Sequence, residues 1–442
     1  MKRELVFLFV LMSFASGFCE KYSLSVDDAV NLAKKNNVSI ARNQITLDAS
    51  LRSKNHSWNS VSPTGSLGVS SSIPLDALTG GDQNSNYTAS IGVSASLSLS
   101  LSANLYTSMN KAKLDYEQQK VSFNDAVRSI EMSVRQSYYG LLYELENIRL
   151  QQENLNIAKI QYENNFAKYN SGRLSELDAL SAEVNYKSKI PTVENAVTVY
   201  KNDLASFKQV LGLMLEDEIT LTGSLDDVLI LDEIKIDEKN IRSSTLTALE
   251  NRLAIAKNSL LEKRFSAFAP SLSASFSWRD QNWYVGWSDY VNSQGKTVTK
   301  EDAKKSSSLT LSASIPLDGV LPWSNKNDGV DSAKDTVADL ELQLDNSRKD
   351  LKRSVDSSLR SIAQSQEAIK YKQANVVLAQ KTYEMTEAAY NHGTKDLMTL
   401  QNANTTLLNA QVSLKNEVYT LAKAILSLEN TIGVPFGELG RK

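Results

Sequence analysis

The chain has 442 residues, with 48 Lys and Arg against 51 Asp and Glu and a formal net charge of −3. That balance excludes the basic face that a nucleic-acid partner needs. One cysteine, Cys19, and two distant histidines, His56 and His392, exclude a disulfide framework, a zinc site and a Ser/His/Asp constellation, so no catalytic, metal or cofactor residue is expected.

Met1-Lys2-Arg3, an apolar run from Leu5 to Phe14 and small Ala15-Ser16-Gly17 predict a secretory signal over residues 1–19. The run falls short of the roughly 20 residues that span a bilayer as a helix. Ala15-x-Gly17 is one cleavage site; lipidation at Cys19 is the alternative, with bulky Phe18 before it where a small residue is expected. Loss of Lys2, Arg3 and Glu4 takes the net charge from −3 to −4. No long apolar segment follows, so the exported chain is either soluble or inserted as a β-barrel.

Seven prolines and eighteen glycines are few breakers for this length and predict long helices. The N-terminal segment 20–62 holds a helix near 26–57, opened by Val26-Asp27-Asp28 and with Ala29, Val30, Leu32 and Ala33 on its apolar face. Residues 63–102 read as a pair of strands, and 103–212 as a hairpin of helices over 103–170 and 174–212. The acidic stretch from Glu216 to Glu238, within 213–244, reads as a small side domain and lacks the EF-hand spacing for calcium. A helix over 245–269, a second strand pair over 270–317, a second hairpin over 318–433 (helices near 328–391 and 395–432) and a tail at 434–442 complete the chain.

The second half repeats the first. AKIQYENNFAKYNSG, ending at Gly172, matches AQKTYEMTEAAYNHG, ending at Gly393, and the offset of 221 also relates Ala112 to Ala333, Ala182 to Ala403 and Gly212 to Gly433. A constant offset means no insertions, as expected for two copies of one packed unit. Val134, Leu141, Ile148, Leu155, Tyr162 and Tyr169 are seven apart, and Val355, Ile362, Ile369, Val376, Tyr383 and Tyr390 repeat them. Tyr138, Leu145, Phe166 and Leu359 fill intermediate positions. Such a seam faces a neighbouring helix in a left-handed supercoil, although an ordinary bundle core would give the same ladder. A helix over 103–170 would run on the order of 100 Å, and one over 174–212 roughly 60 Å. Continuous and broken struts of this kind suit the wall of a hollow tube. Gly172 and Gly393 are expected to take positive φ at the hairpin turns.

In the strands the period becomes two. From Tyr87 to Leu101 every odd position is apolar or aromatic and every even one is Ser, Thr or Gly. The alternation recurs in Leu67, Val69, Ile73 and Leu75, in Leu272, Ala274, Phe276 and Trp278, and in Leu309, Leu311, Ala313, Ile315 and Leu317. Strands of about ten residues cross an outer membrane, with one face to lipid and the other to water. Trp58, Trp278, Trp283, Trp287 and Trp323, the only tryptophans, lie in or beside these strands, as interfacial aromatics do. A soluble sandwich would carry more Lys and Glu on its polar face. Four strands do not close a barrel, which takes about eight or more, so several copies must share one.

The order of elements resembles the TolC-like outer-membrane efflux proteins over essentially the whole mature chain. The resemblance rests on Ser23-Leu-Ser-Val-Asp-Asp-Ala-Val-Asn-Leu-Ala33 with Asn36-Asn37, on Tyr169-Asn-Ser-Gly172 with Leu177, Asp178 and Ala182, and on Ile190-Pro191. It also rests on Tyr390-Asn-His-Gly-Thr394 and Asn404-Thr-Thr-Leu-Leu-Asn-Ala410. It implies a mixed α and β membrane protein of the bacterial outer membrane. A long coiled-coil α-barrel would reach through the periplasm, and a 12-stranded β-barrel would be shared by a homotrimer. It further implies a passive duct for efflux or type I secretion, with a periplasmic adaptor, an inner-membrane transporter and outer-membrane lipid as partners. By motif position the gate carboxylate and tyrosine are Asp178 and Tyr390. Lys395 stands where the family has a gate arginine, and Thr399 and Asn402 stand where it has inward aspartates. The competing readings are solvated charges at Asp178 and Lys395, seam packing at Tyr169 and Tyr390, and a structural coiled-coil envelope protein without transport. The last accounts for the heptads and not for the strands.

Overall fold

In a computed structural model the described residues are 21–72, 89–226, 243–285, 290–291, 297–298 and 305–439. The expected signal segment, Ile73, Leu75, Trp287 and residues 227–242 of the expected side domain lie outside them. The chain forms two compact units, one of residues 1–45, 121–247 and 346–442, the other of 46–120 and 248–345.

The first unit begins with strand β1 (Lys21–Leu24) and helix α1 (Val26–Asn36). Ser25 and Asp28 form a reciprocal capping box at the start of α1, which buries Ala29, Val30 and Ala33. The helix expected over 26–57 is two helices, because Asn37 ends α1 and starts α2 (Val38–Asn55). Its backbone N–H closes on the Ala33 carbonyl, its side-chain oxygen accepts from Ser39 N at 2.9 Å, and its amide donates to Val210 O at 2.8 Å. An asparagine that can satisfy both helix ends at once makes the break.

Helices α3 (Asn104–Asn170) and α4 (Glu176–Leu211) form the first hairpin. Helices α6 (Asn325–Asn391) and α7 (Leu397–Ile432) form the second, after α5 (Ser244–Phe268). Each bound of α3 and α4 recurs 221 residues later, and the paired helices have 67 and 36 residues in both copies. Segments of α3 and α6 belong to each unit. The heptad ladder is the core of the first unit: Val134, Leu141 and Ile148 are buried, as are Val355, Ile362 and Ile369. Phe207, Leu211, Val418, Leu421 and Leu428 pack against it. Burial fades along the first ladder, to 37% exposure at Tyr169.

Strand β4 (Glu218–Leu221) pairs in parallel with β1, a strand not foreseen in the sequence. Four residues of KYSL are too short to show a period. Tyr138 of α3 donates to the carbonyls of Leu24 and Thr222 and so fastens this ribbon to the helices.

The second unit carries a four-stranded sheet in the order β2 (Thr64–Ser72), β3 (Ala89–Ser102), β5 (Ser271–Val285), β8 (Lys305–Ser314), antiparallel throughout. A bulge lies between Ile91 and Val93. Two short strands, β6 (Tyr290–Val291) and β7 (Thr297–Val298), pair with each other. Ile315 and Leu317, expected in the last strand, lie beyond its end. Pro316 removes a ladder donor there and a 3₁₀ turn (Asp318–Val320) follows.

Candidate channel wall and hairpin tips

The alternating sequence gives a sheet of two unlike faces. Leu67, Val69, Leu97, Leu272, Phe276, Leu309 and Leu311 lie on one, all exposed, with Leu67 at 86%. On the other, hydroxyls pair across strands: Thr64 with Ser98 and Ser66 with Ser96 at 2.7 Å, Ser277 with Ser308 and Ser271 with Ser314 at 2.8 Å, Ser273 with Ser312 at 3.0 Å. Such an apolar face is unstable in water at this extent and calls for a cover. Strands β2 and β8 are the sheet's edges, and among the described residues neither has a further partner strand.

The tryptophans distribute about this sheet. Trp58 sits in a 3₁₀ turn (Ser57–Val61) just before β2, and Trp323 between β8 and α6; both are exposed, at 57% and 80%. They adjoin the end of the sheet from which α3 departs. Trp278 lies within β5, opposite Ala95 and Ser307, and Trp283 lies farther along, opposite Ile91.

At the hairpin tips Gly172 and Gly393 have φ of 69° and 72°, as expected. Each closes a reverse turn of the same design: Gly172 N donates to Tyr169 O and Arg173 N to Lys168 O, and Gly393 N and Thr394 N repeat this on Tyr390 O and Ala389 O. The returning helices start two residues later than expected, because Ser175 and Asp396 cap them. Asp178 N donates to Ser175 Oγ at 3.2 Å, while Ser175 Oγ donates to Asp178 Oδ2 at 2.6 Å. Thr399, the repeat counterpart of Asp178, donates its N–H to Asp396 Oδ1 at 2.8 Å. The bond to Thr399 and the neighbouring Lys395 charge hold the Asp396 carboxyl below its usual range. Asn402 is exposed, and its carbonyl accepts from Thr406 Oγ1.

The five candidate gate residues are thus brought to one hairpin end, but not all are joined. Among the described residues of a single chain no ion pair links Asp178 to Lys395, whose side chain is exposed. Tyr390 instead donates a 2.8 Å hydrogen bond to Asn165 Oδ1 of α3, and the Lys168 ammonium lies 5.5 Å from its ring. Burial, reinforced by the nearby Asp178 carboxylate, raises the Tyr390 phenol above its ordinary value. Tyr390 also packs on the cluster of Ala379, Tyr383, Leu400 and Leu407. It is therefore both seam packing and a polar link.

Sequence reasoning missed Asn165, because its partner is 225 residues away. The Ser175-x-x-Asp178 cap was visible as a spacing. A third feature had no sequence signal. The buried Glu144 Oε2 of α3 meets no hydrogen-bond donor, and the Asp203 carboxyl of α4 lies beside it. Burial, then the neighbouring Asp203 carboxyl, push Glu144 up to about 8. Tyr143, Tyr200 and Tyr419 surround the pair, with the rings of Tyr143 and Tyr419 stacked 5.6 Å apart. Among the described residues no group of three His, Cys, Asp or Glu is placed to hold a metal, and no helix is long and apolar enough to cross a membrane.

Comparison with known proteins agrees with this geometry. The chain is 24% identical over 332 residues to the outer membrane protein TolC of Salmonella enteritidis, a match covering 71% of this chain and 63% of that protein. It thus spans less than two thirds of the length of that curated relative. The Campylobacter jejuni CmeC outer membrane channel shares its fold, with a TM-score of 0.71, 18% identity and coverage of 92% of this chain and 85% of that one. So does the outer membrane protein VceC of Vibrio cholerae, with a TM-score of 0.69, 14% identity and coverage of 93% and 96%. The family model for outer membrane efflux proteins matches residues 29–213 and 239–434, both repeats and most of the chain, and the chain belongs to that family.

Proposed function

We propose that the protein is a passive export duct of the bacterial outer membrane, the outer channel of an efflux or type I secretion system. The observation that carries this reading is the sheet: apolar on one face, hydroxyl-lined on the other, and open at both edges. Lipid suits the first face and a water-filled lumen the second. The open edges are satisfied when β8 of one copy pairs with β2 of the next. Three copies give twelve strands, and their helical hairpins form a periplasmic tube. The tryptophans beside the two ends of the sheet then sit at the membrane interfaces. A periplasmic adaptor and an inner-membrane transporter supply substrate and energy, since the duct has neither an energy source nor a catalytic role.

The hairpin tips form the periplasmic gate. Seam packing weakens toward Tyr169, so polar links at Asp178, Tyr390 and Lys395 supply more of the closing free energy, with Lys395 reaching a neighbouring copy. Lys395 is a point charge without the planar fork of an arginine, so its link is weaker and less directional. Thr399 and Asn402 give the constriction no carboxylate ring, which disfavours cation binding there. The test is the mass of the purified protein in detergent, with conductance in planar bilayers. A trimer that forms channels is expected. A stable monomer, or a trimer that conducts nothing when its tips are opened, would overturn the reading.

A further inference from the structure

Residues in register across the four strands form rows on the hydroxyl face. One row is Thr64, Ser98, Ser275 and Thr310, and the next is Ser66, Ser96, Ser277 and Ser308. Every member is a small neutral hydroxyl, and several are already bonded to each other. Such a wall holds no net charge and few free donors. The following row is Gly68, Ser94, Arg279 and Ser306. Arg279 is the only charged residue on this face among the described residues, and it is exposed. Its row neighbours are small; a Cβ on Gly68 would stand 3.1 Å from Ser94 Oγ. They leave the long side chain free to extend over the wall.

The nearest carboxylate in sequence, Asp280, is on the opposite face by strand alternation. Its register partners are Val93 of the apolar face and Lys305. The guanidinium therefore has no acid on its own face among the described residues.

We propose that Arg279 makes the lumen of the barrel selective for anionic over cationic solutes, favouring compounds that bear carboxylate, sulfonate or phosphate groups. The proposal rests on the barrel reading above. In a trimer three guanidiniums stand at one level of a lumenal wall that is otherwise neutral among the described residues, backed by low-dielectric lipid. Such a ring concentrates anions and repels cations over about a Debye length. Hydroxyls supply hydrogen bonds to either kind of ion and so do not discriminate. Selectivity then comes from one residue per copy.

The test uses a reporter thiol in the adjoining row, Ser96→Cys, in lipid-embedded trimers, with the unsubstituted protein and its natural Cys19 as the labelling blank. Membrane-impermeant anionic and cationic methanethiosulfonates are compared. With Arg279 present, the anionic reagent should gain roughly threefold or more over the cationic one relative to Arg279→Ser, and the advantage should shrink in about 1 M salt. Arg279→Gln serves as a second variant if Arg279→Ser lowers trimer yield. An unchanged ratio in a well-assembled variant overturns the proposal, as would be seen if a loop carboxylate neutralised Arg279. If instead neither reagent reaches Cys at 96 while Leu97→Cys is labelled, the faces are reversed and the barrel reading itself falls. In planar bilayers the reversal potential under a KCl gradient should move toward the cation side in Arg279→Ser.

Discussion

The Tyr390 hydroxyl donates to Asn165 Oδ1 at 2.8 Å, joining the last turns of the two 67-residue helices that are repeat counterparts. The bond sits where the apolar seam thins: Tyr383 is 7% exposed, whereas Phe166 is 44% and Tyr169 is 37% exposed. Its loss should therefore be felt at the tip before anywhere else. Tyr390→Phe removes the hydroxyl and leaves the ring in its cluster. It should raise the fraction of time the isolated trimer conducts, with a stability cost of about 1 kcal/mol. Single-channel recording checks the first expectation and thermal melting of the trimer the second. An unaltered open fraction would assign Tyr390 to packing alone.

The double variant Asp178→Ala with Lys395→Ala should also raise conductance. Exposed pairs contribute only about 0–1 kcal/mol each, but three symmetric copies add up to a bias on a two-state gate. High salt should produce part of the same change in the wild type by screening. Equal conductance of variant and wild type at low salt would make these residues solvated charges, leaving Thr399 and Asn402 as the next candidates.

The proposed gate role of Asp178 needs its own control, since Asp178 shares a cap with Ser175. Ser175→Ala removes the cap oxygen and keeps the carboxylate. It should cost about 1 kcal/mol of stability and leave conductance as in the wild type. Opening of the channel by Ser175→Ala would mean that helix fraying, not an ion pair, controls the tip.

The two faces of the sheet predict opposite responses to charge. Leu97→Arg places a cation toward lipid, at a cost of about 2–4 kcal/mol near the midplane, and should reduce the yield of heat-stable trimer. Ser96→Arg, one residue away, should be tolerated. Matching losses from both changes would contradict the assignment of faces.

Glu144 gives a pH dependence. Its carboxyl titrates near 8 in the folded protein against an ordinary value of 4.5. The folded state therefore holds the proton more tightly. The stability it contributes is complete below about 4.5 and is lost as pH rises to 8. The wild type should melt at lower temperature at pH 8 than at pH 5. Glu144→Gln keeps a donor toward Asp203 without a titrating proton and should flatten that slope by about 1–2 kcal/mol, after allowance for partial exposure. A parallel slope in the variant would locate the pH dependence elsewhere.

Much of this architecture was legible in the chain itself. The long helices, the 221-residue repeat, the seven-residue ladder and the alternating strands are local or periodic properties. A period of seven or of two dictates which side chains share a face, whatever the partner proves to be. The turn glycines were legible for the same reason: positive φ is a property of one residue, set by the absence of a Cβ. The cap that splits 26–57 was written as Asn37 but depended on the Val210 carbonyl, which only folding supplies. The bond between Tyr390 and Asn165, the approach of the Glu144 and Asp203 carboxyls, and the rows that isolate Arg279 among hydroxyls were decided by tertiary structure alone. Each depends on residues tens or hundreds of positions apart meeting in one register. Periodicity fixes the face a side chain occupies; register between helices and strands fixes its partner. That choice is made by packing of the whole unit, where the best-buried arrangement of all seams wins over any single pair.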